Sequence, residues 1–130
     1  MIIFDASALV SAALKADSVP ERARAEEVDV FALSAAVDGE IAGVLNRPKF
    51  ARAIPLARRE RVLEILRHAA IWFEPTVRVT DCRDPKDNKY LELALAAGGE
   101  TIVSSDDDLL VLDPWRGVRI MRPADYLAAT

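Results

Sequence analysis

Four acidic residues stand either where a short apolar run ends or beside the apolar face of a helix. They are Asp5 after "IIF", Glu40 within "AVDGEIAGVL", Asp87 ahead of "NKYLELALAA" and Asp106 after "TIVSS". Carboxylates drawn within a few ångströms of one another cannot all stay ionised without a counter-charge, and a divalent cation is the usual remedy. Hard oxygen donors favour Mg2+ or Mn2+ over zinc or copper. His68 and Cys82 are the only histidine and cysteine, so His-pair and thiol-rich metal sites are excluded, as is an internal disulfide. No Walker or Rossmann glycine loop is present. A hard cation with few protein ligands keeps waters and can take phosphate oxygens. The matching reaction class is metal-assisted phosphodiester hydrolysis.

Taken singly, each acid also has an ordinary structural use. Asp5 could simply open a loop, with the Ser7 hydroxyl two residues on pointing to a similar place. Glu40 projects onto or beside the face made by Val37, Ile41, Val44 and Leu45, and a carboxylate buried there needs a partner. Asp87 shares a helical face with Tyr90, Leu91 and Ala94 and is also placed to cap that helix. Asp106 ends a strand. Asp107 is expected to face water, and Asp108 to cap a turn or point back to the site. Asp81 and Asp84 read as solvated or turn-forming. Convergence of the four acids on one edge is what those separate explanations do not share.

The elements that must position them follow from hydrophobic period and punctuation. Strands are expected at 2–5, 30–33, in "IWFEP", in "TIVS" and in "VRIM". Helices are expected after Ser7, from a capping box at 18–21 to about Glu27, from Ser34 to about Asn46 with Pro48 as the stop, over 55–69, from Asp87 to Gly98–Gly99, and over "PADYLAA". In the helix over 55–69, Leu56, Leu63, Leu66 and Ala70 share one side and the arginines the other. Trp72 reads as core, Trp115 as packing under a turn, and Cys82 as a spare loop thiol. Apolar strands alternating with helices predict an α/β fold, with a mostly parallel sheet of about five strands covered on both faces, and sites beyond the carboxyl ends of its strands.

The 130 residues fit one domain, 1–130, and a composition of 52% apolar and 29% charged residues is that of a globular protein. No apolar run approaches the roughly 18–20 residues of a membrane span, and the acid in "MIIFDASALV" argues against a signal peptide, so a cytoplasmic location without membrane attachment is expected. The formal charge of −4 is unevenly spread. Residues 47–67 hold seven Arg and Lys against two Glu, a balance of +5 that leaves −9 elsewhere. Such segregation suits a surface that meets a polyanion beside a pocket that holds cations.

"IIFDASALVSA", Glu40 ahead of "VLNRPKF", "DPKDNKYLELALAAG" and "TIVSSDDDLL" together resemble the PIN-domain family, most closely its VapC-like toxin branch, in order and over nearly the whole chain. The resemblance implies a three-layer α/β/α sandwich and Mg2+- or Mn2+-dependent endoribonuclease activity. It places catalytic acids at Asp5, Glu40, Asp87 and Asp106, a further metal ligand at Asp108, supporting hydroxyls at Ser7 and Ser105, and an RNA-contacting base at Arg47, with Lys49 and Arg52 beside it. It also implies an RNA substrate, a cognate antitoxin and a homodimer. The chain departs from the family pattern at Asp5-Ala6-Ser7, where Asp-Thr-Asn is common, at "SSD", where Thr-Gly-Asp is usual, and at Gly39 and Gly43 around Glu40. The departures at Ser7 and at Gly39 and Gly43 frame the alternative, a catalytically impaired scaffold that only binds protein or RNA, and the one at "SSD" is mild. A nucleophilic Asp5 is a weaker rival, because Ser7 stands where such enzymes carry a second Asp.

Overall fold

The structure is a computed structural model that describes residues 1–17 and 30–129. Its elements run β1 (Ile2–Phe4), α1 (Ala6–Asp17), β2 (Ala32–Leu33), α2 (Ala35–Leu45), α3 (Pro48–Ala53), α4 (Leu56–Ala69) and β3 (Ile71–Trp72). A 3-10 turn (Pro85–Asp87) then leads into α5 (Asn88–Ala97), β4 (Thr101–Val103), α6 (Asp107–Leu110), β5 (Arg119–Met121) and α7 (Pro123–Ala129). The helix expected from the capping box at 18–21 lies outside the described residues.

All strand pairings are parallel. β4 lies between β1 and β5, with Phe4 level with Val103 and Val103 level with Met121, and β2 pairs with β3. An isolated parallel bridge between Ile2 and Phe31 sets the two sheets edge to edge. The spatial order is therefore β3-β2-β1-β4-β5, and the direction of winding reverses between β1 and β4. In open α/β sheets the crevice beyond the strand ends at such a reversal is where ligands bind. Asp5 follows one of these two strands, and Ser104 through Asp106 follow the other.

Both faces are covered. Ile3 is fully buried against the end of α5, where a Cβ on Gly99 would come within 2.4 Å of its Cδ1. Only glycine permits that approach, and Gly98 ends the helix at φ 61°. On the opposite face Phe4 meets the ring of Phe31 at 6.1 Å and that of Tyr126, from α7, at 6.0 Å. α2 starts where Ser34 Oγ accepts the Val37 amide at 3.3 Å, and it buries Val37, Ile41, Val44 and Leu45 as the period requires.

Local expectations needed correction in five places. α1 is capped by Asp5, whose Oδ1 accepts the Ala8 amide at 2.7 Å, while Ser7 is exposed. Pro48 ends α2 by opening α3, since its missing N–H costs nothing at a first helical position. α4 buries Val62 and Leu66, whereas Leu56, in its first turn, is 56% exposed. Trp72 is not core: it lies 46% exposed on β3 at the sheet edge, its indole N–H donating to the Arg67 carbonyl at 2.9 Å. Cys82, by contrast, is buried, its amide donating to Asn88 Oδ1 at 2.9 Å. No helix of the described residues is long and apolar enough to cross a membrane.

Candidate metal centre

β1 delivers Asp5 to the carboxyl edge with both oxygens engaged. Oδ1 caps α1, and Oδ2 accepts the hydroxyl of Ser104. That serine is fully buried, and its Oγ accepts in turn the Asp106 amide at 2.9 Å. One hydroxyl thus ties the end of β1 to the residue that follows β4. The Ser105 side chain is exposed, but its backbone amide also reaches Asp5. Burial pushes the Asp5 carboxyl above its usual range, against the pull of the Ser104, Ala8 and Ser105 donors, with the negative charge of Asp106 adding to the rise.

Asp106 caps the short α6, its Oδ1 accepting the Asp108 amide at 2.9 Å. Asp107 is exposed and pairs with Arg122 at 2.9 Å. Asp108 pairs with Arg83 at the rim at 2.8 Å, and its carbonyl lies 3.4 Å from the Cys82 sulfur. Burial is the first reason the Cys82 thiol is raised, with the charges of Asp87, Asp108 and Asp106 adding to it.

Asp87 is the centre of the cluster. The sequence offers it as a helix cap, yet it makes no capping hydrogen bond. Asp84 does the local work, accepting the Lys86 amide at 3.1 Å and the Asp87 amide at 3.0 Å through its carbonyl. The 3-10 turn leaves Asp87 only 7% exposed, with Oδ2 buried and without a hydrogen-bond partner. Burial first, then a side-chain hydrogen bond shared with Asp106 and that residue's charge, and then the charges of Asp84 and Glu40, push Asp87 up to about 7. On the next turn of α5, Tyr90 is buried, its hydroxyl accepting the Ala6 amide at 3.0 Å, which ties α5 to the first turn of α1.

Glu40 is half-buried on α2, and its charge reaches Asp87 and Tyr90. Its partner is Lys89 of α5, whose ammonium binds Oε2. Sequence reasoning missed Lys89, Ser104 and Asp84. The tightest three-acid approach among the described residues is Asp84, Asp87 and Asp108, whose carboxylate oxygens come within 4.8 Å of one another. Asp106 and Glu40 act on the Asp87 member of that triple through their charges, and Asp5 is tied to Asp106 through Ser104.

The donor set fits a hard divalent cation. It consists of carboxylate oxygens alone, it includes one buried oxygen with nothing to bind, and two acids are already neutralised by Lys89 and Arg83 while the central ones are not. Arg47, Lys49 and Arg52 are exposed on and just before α3, which packs on α2. A comparison with curated proteins gives no match. The profile of one protein family, described as PIN domain, matches residues 1–108.

Proposed function

The chain belongs to the PIN-domain family, and from that premise we propose that it is a divalent-cation-dependent endoribonuclease that hydrolyses RNA phosphodiesters. The observation that carries this reading is Asp87 Oδ2, buried and unpartnered among like charges. Such a group is costly unless a cation completes it. Asp5, Glu40, Asp87, Asp106 and Asp108 would hold Mg2+ or Mn2+, which when bound supplies an activated water and neutralises charge on the phosphoryl oxygens.

The rest is the work of the chain's own groups. Ser104 and the Ser105 amide fix the Asp5 carboxylate, and Tyr90 fixes the helix that begins directly after Asp87. Arg47, Lys49 and Arg52 grip the RNA backbone electrostatically, without reading sequence. Single strands and loops are the favoured substrate, because their bases are accessible. In this reading residues 1–130 are one nuclease domain acting in the cytoplasm, the toxin of a two-gene system, homodimeric and silenced by an antitoxin protein.

Cleavage of single-stranded RNA with Mn2+ tests it. Asp5→Asn and Asp106→Asn are each expected to lose at least about 100-fold in rate, as loss of a ligating carboxylate should. Equal cleavage by wild type and variants overturns the reading. RNA binding by the wild type without cleavage would favour the binding-scaffold alternative.

A further inference from the structure

Lys89 follows Asp87 by two residues in the first turn of α5, and its ammonium rests on Glu40 Oε2. The side chains of Lys89 and Glu40 are only 20% and 28% exposed. The cations of the other ion pairs given for Arg67, Arg83, Arg116, Arg119 and Arg122 are 46–63% exposed. Lysine is a strongly hydrated point charge on a flexible stem, so holding it this deep sacrifices both hydration and rotamer freedom. Glu40 gives the reason. It sits in the same negative field as Asp87, with Asp106 and Asp84 beyond, and needs a positive partner when nothing else is bound.

We propose that Lys89 is the site's resident counter-ion: it neutralises Glu40 until a divalent cation arrives, and that cation must displace it to engage Glu40. The inference rests on the reading that these acids hold a divalent cation. Arg83 plays a lesser part, because its guanidinium is 63% exposed on Asp108 and can move aside into water at little cost. The consequence is a set point. Lys89 keeps the empty pocket from flying apart and lowers its affinity for metal by competing for one oxygen and repelling the incoming charge. At the effective dielectric of a partly buried site, one such elementary charge a few ångströms away is worth about tenfold or more in affinity.

The test is Mn2+ binding to the intact protein by titration calorimetry, with thermal unfolding of the metal-free protein in parallel, for wild type, Lys89→Gln and Lys89→Arg. Lys89→Gln is expected to bind Mn2+ about tenfold more tightly while its metal-free form melts lower, and Lys89→Arg to restore affinity near that of wild type. A merely structural lysine would lower the melting temperature and leave affinity unchanged or weakened. That result, with Mn2+ still bound by wild type, overturns the counter-ion role and leaves the nuclease reading standing. Absence of Mn2+ binding in wild type and in both variants overturns the two together. Should Lys89→Gln prove too unstable to titrate, Lys89→Met decides in the same way: tighter Mn2+ binding than wild type supports the role, and affinity equal to or weaker than wild type overturns it.

Discussion

The carboxyl edge of the sheet and the basic stretch 47–67 handle charge in opposite ways. In the basic stretch every arginine but the half-buried Arg59 is exposed to water, and Arg59 and Arg67 have local partners. Arg67 forms a two-pronged pair with Asp38 at 2.8 and 2.9 Å, and Arg59 bonds Asn46 and the Ile54 carbonyl. Lys49 lies over the ring of Phe50. At the acidic edge like charges are held together by backbone amides and one buried hydroxyl, and the central oxygen has no partner. The lesson concerns where stability is given up. A solvated arginine face costs little and also gains little. A pocket of unshared carboxylates is tolerated only because the sheet, α2 and α5 position it rigidly, and such local sacrifice is characteristic of functional sites.

Asp87→Asn should break the contrast most sharply. Neutralising the central acid is expected to abolish cleavage, by at least about 100-fold, yet to stabilise the metal-free protein at pH 7.5, because the repulsion with Asp106 disappears. Cleavage assays and chemical denaturation of the same preparation measure the two effects, and a variant both inactive and less stable would break the link.

The pH dependence of stability sharpens the contrast. Asp87 is raised from 3.8 to about 7 in the folded protein, so the folded state retains a proton that the unfolded chain releases. Stability is therefore fully present below about pH 4 as far as this group is concerned, and is lost as pH rises through about 7, on the order of 2 kcal/mol after allowing for screening and for coupling to Asp106. Melting curves of metal-free protein between those limits should show the loss, Asp87→Asn should flatten it, and Mn2+ should offset it at the upper end. Ser104→Ala is next in size. Removing the bridge strands Asp5 Oδ2 and the Asp106 amide, at about 1–2 kcal/mol, and loosens the Asp5 carboxylate enough to slow cleavage about tenfold. Arg67→Ala should have the smallest effect, below about 1 kcal/mol by denaturation, with cleavage unchanged, since the pair it removes is exposed.

Much of this organisation can be read from the residues in order. The strands end where apolar runs end, so Asp5 and Asp106 fall on one edge by counting alone, and the buried face of α2 follows its period through Gly39 and Gly43. What escapes a linear reading depends on register and on packing between distant segments. Ser104 reads as one more residue of a strand until β1 is set level with β4. Lys89 and Glu40 are 49 residues apart, and no spacing rule pairs them. Asp84 passes for an ordinary turn residue, yet it takes the capping role that would otherwise have turned Asp87 toward its own backbone. Trp72 reads as core because its composition matches a buried strand, but an edge strand can leave an aromatic outside.

The Ser104–Asp5 link joins residues 99 positions apart in a strand that enters the middle of the sheet rather than its border. A chain carrying only β1 through α5 holds three of the four principal acids, Asp5, Glu40 and Asp87, and neither Ser104 nor Asp106. The cluster is complete only when Ser104 and Asp106 are present and β4 is paired between β1 and β5. Products truncated before Ser104 therefore lack the completed acid cluster, a consequence of strand order alone.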